Sequence, residues 1–228
     1  KSKKINILKK APNQNQMKTF DIIIFAVKPQ NANDVLNEYE NFELKKNVLI
    51  GSIIAGKKIN FFKKRIKNTN QFVRIMPNMP ALIRNGISCF VSRSNLSLSN
   101  KKKLNELFLQ VGKTVWLKSE NQIDKATAVS GSGPGYIFTL IHAFEKAAQK
   151  LGFSKNQSSD LISSTMLGSI LLMQETRKEP NELAKEIAVK GGTTEAGIKN
   201  LKNNNIDKII FKTFISAYNR AKILSKKN

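Results

Sequence analysis

Two stretches of this chain carry residue types that could do chemistry without a metal or a strong nucleophile. The first, Thr127–Tyr136 with the sequence TAVSGSGPGY, sets a threonine hydroxyl, a Ser-Gly-Ser-Gly-Pro-Gly run and an aromatic between two helical patterns. Packing alone would favour alanine and leucine there, since a glycine costs a helix about 1 kcal/mol relative to alanine and an interior proline about 3 kcal/mol. Gly131, Gly133 and Gly135 let a backbone approach a ligand or another helix closely, or else they form a flexible hinge. The second stretch, KGGTTEAG, places Gly191 and Gly192 before Thr193 and Thr194 at a predicted helix start. Amides at a helix N-terminus, supplemented by threonine hydroxyls, suit a carboxylate or phosphate. An ordinary N-cap with flexible glycines is the plainer alternative.

What accompanies these stretches narrows the chemistry. His142 is the one histidine, so histidine-based triads and multi-histidine metal sites are excluded, and the carboxylates form no metal-ligand cluster. No metal is expected. Cys89 is the one cysteine, which excludes an intrachain disulfide, and it reads as a small buried hydrophobe.

The elements that must position these residues fall into two kinds. Up to about residue 118, strand patterns alternate with helical ones. Asp21–Val27 is a continuous apolar run typical of a strand buried on both faces, followed by a short helix over Asn31–Tyr39. Asn47–Ile50 and Gln71–Met76 are further strands, separated by a lysine-rich amphipathic turn at Ile59–Ile66. A weak strand candidate lies at Ile5–Leu8. Gly86–Val91 is another strand, Ser99–Gln110 a helix presenting Leu104, Leu107 and Phe108, and Lys113–Leu117 a closing strand anchored by Trp116. Such alternation predicts a parallel α/β sheet, in which ligands bind outside the carboxyl ends of the strands. Three of those ends, Lys28-Pro29-Gln30, Ser52 to Gly56 and Met76-Pro77-Asn78-Met79-Pro80, carry small, polar or proline residues, which favours a ligand crevice over three unrelated turns.

From Ser119 onward strand signals vanish. Tyr136, Ile137, Leu140, Ile141, Phe144, Ala147, Ala148 and Leu151 share one helical face. Leu161–Met173 is apolar around most of its circumference, a further helix starts after Pro180, and Ile206 to Leu224 form a last amphipathic stripe. The expected organisation is an α/β domain over 1–118 and an all-α domain over 119–228, whose apolar helix calls for a partner subunit.

The net charge of +23 has two readings. A concentrated basic surface would draw nucleic acid, whereas lysines scattered over solvated faces carry no such meaning. The basic and asparagine runs fall between the apolar segments, few aromatics interleave with them, and no zinc-finger or RNA-recognition spacing occurs. Nucleic acid is therefore the less favoured partner. The N-terminus lacks the apolar core of a secretory signal, and no apolar run nears the roughly 18 residues of a membrane span, so a soluble cytoplasmic protein is expected.

Taken together, DIIIFAVKPQ, RIMPNMPALIRNGIS, DKATAVSGSGPGYIF and GGTTEAGI, in this order and spacing, closely resemble the pyrroline-5-carboxylate reductase family over almost the whole chain from Asn13. The resemblance implies a Rossmann-like domain that binds NADPH or NADH, followed by a helical domain that dimerises. It implies NAD(P)H-dependent reduction of 1-pyrroline-5-carboxylate to L-proline by a homo-oligomer, a dimer or a decamer. Carried over, Ala26, Val27, Lys28 and Pro29 lie against the cofactor, Met76, Pro77 and Asn78 line its nicotinamide end, and Asn13 matches an asparagine near the adenine-side ribose. Thr127 matches a threonine beside the imine nitrogen, with Ser130 near the substrate, and Gly191, Gly192, Thr193 and Thr194 match the segment that holds the substrate carboxylate.

The departures matter equally. No GxGxxG turn occurs in these residues, so the first βαβ unit of the family, which takes the cofactor pyrophosphate, is not represented. A fragment, a lost N-terminus and a non-catalytic dimerising remnant are the three explanations, and an exposed sheet edge is expected. Val189-Lys190 stands in place of the usual Ser-Pro, and Gly135 in place of a usual alanine.

Overall fold

The computed structural model describes Leu8, residues 11–94 and residues 96–226. The strand expected at Ile5–Leu8 lies outside the described residues, apart from Leu8, which has no regular structure. Residues up to Ser132, joined by those from Ala217 onward, form one compact unit, and Gly133–Ser216 form a second.

The first unit is built on a five-stranded sheet in the order β1-β2-β3-β4-β5. After the short helix α1 (Gln14–Met17), the apolar run forms β1 (Ile22–Phe25). Then come α2 (Ala32–Tyr39), β2 (Leu49–Ser52), α3 (Ile59–Lys63) and β3 (Phe72–Met76). The three strands are mutually parallel, with Phe25 beside Ser52 and Ser52 beside Arg74, so their carboxyl ends share one edge of the sheet. β4 (Gly86–Val91) follows, then α4 (Leu98–Leu109), β5 (Gly112–Trp116) and α5 (Glu120–Ala126).

One expectation is corrected here. The sheet is mixed, because β4 runs antiparallel to β3, with Met76 opposite Cys89. The link over 77–85, largely a 3-10 turn at Met79–Ile83, is shorter than the dozen or more residues that a parallel crossover needs. β4 and β5 are parallel again, with α4 as the crossover.

Apolar side chains pack on both faces of the sheet. Phe25, Leu36, Ile50, Phe62, Phe72 and Ile123 belong to one cluster, and Leu49, Val73, Ile75, Phe90 and Leu104 to the other. Each such fully buried side chain contributes about 1.5–3 kcal/mol over leaving it exposed. Trp116 acts as the expected anchor, its ring 5.0 Å from that of Phe90 and its Nε1 donating to Asn105 Oδ1. Leu107 is about half exposed, unlike Leu104. Among the described strands β1 pairs with β2 alone. An apolar groove of about 340 Å³, lined by Met17, Phe20, Val35 and Tyr39, flanks β1.

The second unit is helical. It contains α6 (Gly133–Lys150), α7 (Lys155–Thr176), α8 (Pro180–Ile187), α9 (Thr193–Asn203) and the first turns of α10 (Ile206–Lys226), whose last turns belong to the first unit. Their starts are written locally. Ser154 and Gln157 form a capping box at α7, and Pro180 occupies the first turn of α8, where its missing N–H costs nothing. The apolar faces are largely uncovered in the single chain: Ile137, Phe138 and Phe144 on α6 and Leu167, Ile170, Leu171 and Leu172 on α7 are all about half exposed or more. Contiguous exposed apolar surface of this kind marks an association face. Among the described residues no helix is long and apolar enough to cross a membrane.

Candidate active site

The parallel strands deliver their three exits to one edge, as ligand binding in an open sheet requires. Ala26 and Lys28 are exposed there, Val27 is half-buried, and Pro29 begins a 3-10 turn. Ser52 is buried and its Oγ accepts from the Ile54 amide, so this hydroxyl shapes the second exit. Asn13 is exposed and caps α1, its Oδ1 accepting from the Gln16 amide.

The third exit meets the glycine stretch directly. α5 runs on into a π-helical turn over Thr127–Gly131, closed by the Ser132 amide donating to Thr127 C=O at 2.8 Å. Such single turns inside α-helices recur at functional sites. Asn78 ties this turn to the strand end: its Nδ2 donates to Ser130 C=O at 3.2 Å, while its Oδ1 accepts from the Ile87 amide at 2.9 Å. Both ends of the Asn78 amide are therefore occupied by protein, which makes its side chain a strut. Met76 packs on the same turn. A Cβ added to Gly131 would lie 2.8 Å from Met76 Cε, so any larger residue here must push the methionine terminus aside. Gly133 and Gly135 face open space, with no described atom within 4 Å of an added Cβ.

The hydroxyls of the turn have defined directions. Thr127 Oγ1 donates to Ile123 C=O at 2.8 Å and Ser130 Oγ to Ala126 C=O at 2.9 Å. Since a carbonyl oxygen can only accept, each hydroxyl proton is committed to the helix and each oxygen offers lone pairs alone. Burial pushes the Cys89 thiol up, consistent with a structural role in β4. His142 is exposed on α6.

The second stretch lies in the helical unit, at the N-terminus of α9. Gly191 adopts a left-handed φ of 76°, and its amide donates to Glu195 Oε2 at 2.7 Å. The Gly192 amide donates to Val189 C=O at 2.9 Å. Both glycine amides are thus used internally. Thr193 and Thr194 form the first turn of the helix, where amides have no intrahelical acceptor.

Two residues escaped the sequence reading. Arg74, in the middle of the apolar strand FVRIM, is buried, and its Nη2 donates to Asp124 Oδ1 at 2.8 Å. A charged residue inside a two-face-buried strand was the available signal for Arg74, and the i, i+4 carboxylates Glu120 and Asp124 were the signal on α5. Among the described residues no cluster of histidine, cysteine and carboxylate groups could hold a metal ion.

Comparison with known proteins places this geometry. The family model described as pyrroline-5-carboxylate reductase dimerisation matches residues 120–224. The pyrroline-5-carboxylate reductase of Pseudomonas aeruginosa is 35% identical over 206 residues, 90% of this chain and 75% of the relative. That of Aquifex aeolicus is 32% identical over 204 residues, again 90% and 75% of the two chains. Among solved structures, the Coxiella burnetii pyrroline-5-carboxylate reductase superposes with a TM-score of 0.88 at 31% identity, covering 95% of this chain and 80% of the other. The Plasmodium falciparum enzyme, solved with NADP bound, gives 0.83 at 29% identity, covering 95% and 81%.

Proposed function

This chain belongs to the pyrroline-5-carboxylate reductase family, and from that premise we propose how its own residues serve the reaction. The reaction is NAD(P)H-dependent reduction of 1-pyrroline-5-carboxylate to L-proline. The observation that carries the reading is the interlock of Met76 and Asn78 with Gly131 and Ser130, which holds the third strand exit against the turn bearing Thr127.

The residues present fit a nicotinamide cofactor at the shared strand edge. Ala26, Val27, Lys28 and Pro29 would flank it at the first exit, Met76 and Pro77 would line its nicotinamide end, and Asn13 would approach the ribose. Asn78 would act by fixing the Met76-Pro77 segment. When bound, the cofactor supplies the hydride.

Thr127 serves the imine nitrogen. Its proton is committed to Ile123 C=O, so its oxygen acts as acceptor toward the N–H of the protonated imine. That contact holds the electrophilic carbon in place and keeps the nitrogen proton, which the product amine retains. Ser130, whose hydroxyl returns its proton to Ala126 C=O and lies beside the Cys89 thiol, would line the substrate side of the turn. Thr193 and Thr194 hold the substrate carboxylate through first-turn amides and hydroxyls, with Gly191 and Gly192 shaping the loop. Nothing in this scheme needs a nucleophile, since positioning alone can supply effective molarities of about 10⁵ M or more.

The chain forms homo-oligomers through its helical region. We propose the dimer as the basic assembly and the exposed faces of α6 and α7 as its surface. The division of labour we propose keeps 1–118 as the cofactor-binding part and 119–228 as the substrate-binding and dimerising part.

Replacing Thr127 by alanine tests the reading. A hydrogen bond to a charged partner contributes about 1.5–3 kcal/mol, so turnover should fall roughly 10- to 150-fold with the melting curve little changed. Wild-type kinetics in Thr127→Ala would remove the assigned role. Calorimetric titration with NADPH tests cofactor binding separately: saturable binding supports a working reductase, and none up to millimolar concentration supports a dimerising remnant.

A further inference from the structure

Resting on the roles given above to Thr127 and the Met76-Pro77 segment, we propose that Arg74 and Asp124 are positioning residues for hydride transfer. They act as a buried clamp that sets the height of the hydroxyl-bearing turn against the nicotinamide wall. Arg74 is 4% exposed and Asp124 5%, which for two charges is deep burial. Nη2 of Arg74 donates to Asp124 Oδ1 at 2.8 Å, and Asp124 Oδ2 accepts from Ser225 Oγ at 3.3 Å. Among the described residues Nη1 of Arg74 has no hydrogen-bond acceptor, its nearby carboxylate oxygen being Glu120 Oε1 at 4.0 Å. That oxygen is already taken by the Ile59 amide at 2.9 Å, while Arg93 Nε lies 3.4 Å from Glu120 Oε2.

Burying an ion pair gains little stability over apolar side chains of the same volume, because the desolvation of both charges offsets their attraction. An incompletely hydrogen-bonded guanidinium makes that balance poorer still. Holding α5 on the sheet does not require charge, since Ile123 already packs there with 0% exposure. A directional contact of fixed length gives something packing does not, namely a defined register between strand and helix.

The register is visible in three successive ties between one strand segment and one helix. Arg74 meets Asp124, Met76 meets Gly131, and Asn78 meets Ser130. Thr127 lies three residues after Asp124 and three before Ser130, about 4.5 Å along the helix axis from each. Movement of Thr127 relative to Met76 therefore has to break the tie at one end or the other. Glu120 on Ile59 and Ser225 on Asp124 brace the clamp from the connection after β2 and from the end of α10.

The test replaces both charges together, as Arg74→Met with Asp124→Leu, so that no lone charge is left buried. The thermal midpoint should be unchanged or raised, as for other buried pairs replaced in this way. Turnover should nevertheless fall by about 10²-fold, the effect expected of a displacement near 1 Å at the reacting centre, with KM for both substrates within about twofold of wild type. Asp124→Glu, which keeps the pair and lengthens it by one methylene, supplies the second measurement and should lower turnover at least about tenfold. Wild-type turnover in either folded variant overturns the proposal and leaves the pair a structural element. Thr127→Ala separates the two levels: unchanged turnover there sinks the underlying reading, whereas a fall there with active clamp variants sinks the clamp alone.

Discussion

Gly131→Ala should cost activity while leaving stability nearly untouched. The added methyl would lie 2.8 Å from Met76 Cε and 3.6 Å from Thr127 Cγ2. Carbon atoms rest about 3.5–4.0 Å apart, so the Met76 terminus must retreat by roughly 0.7–1.2 Å while Thr127 is already at ordinary contact. Methionine is unbranched and can move, at a rotamer cost of about 0.5–1.5 kcal/mol. Alanine returns about 1 kcal/mol through helix propensity, and the two terms nearly cancel. The melting temperature should shift by no more than about 4 °C, given roughly 2–4 °C per kcal/mol for a chain of this size. Turnover should fall by up to about 10²-fold if the displaced side chain is, as proposed, the wall of the nicotinamide site. Steady-state kinetics with a parallel thermal melt reads both quantities. Unchanged kcat in a stable variant would refute the role given to Met76, and a loss of more than about 3 kcal/mol would refute the view that Met76 can yield.

Two further outcomes follow from other parts of the molecule. Leu171→Glu on α7, where Leu171 is 54% exposed in the single chain, should weaken self-association about 10- to 10²-fold from loss of roughly 1.5–3 kcal/mol of apolar burial; an unchanged oligomer mass by light scattering across dilution would place the interface elsewhere. Asp21, held by Lys103 at 2.8 Å and Lys45 at 2.6 Å, has its carboxyl lowered from an ordinary 3.8 to about 2, chiefly by the hydrogen bonds to Lys103 and then Lys45. Since the folded value is the lower one, this contribution to stability is complete above about pH 4 and disappears as pH falls through about 2. An NMR titration should show the low midpoint, and Lys103→Ala should move it upward; an unmoved midpoint would contradict the pairing.

Much of this architecture was determined by sequence. Local patterns announced the elements, because an apolar run such as IIIF and a capping pair such as Ser154 and Gln157 act over a few residues. The order of motifs pointed to the family, and through it to the roles proposed for Thr127, the strand exits and the Gly191–Thr194 loop. Tertiary structure decided how the groups are used. It turned β4 antiparallel, because residues 77–85 are too few to cross the sheet. It consumed the amides of Gly191 and Gly192, committed the Thr127 proton to Ile123 C=O and made Asn78 a strut. Arg74 and Asp124, fifty residues apart, became one ion pair. A hydrogen bond depends on angle and distance between groups that the chain brings together only on folding. TAVSGSGPGY allows either a close approach or a hinge, and it takes the folded sheet to show that Met76 comes close to Gly131.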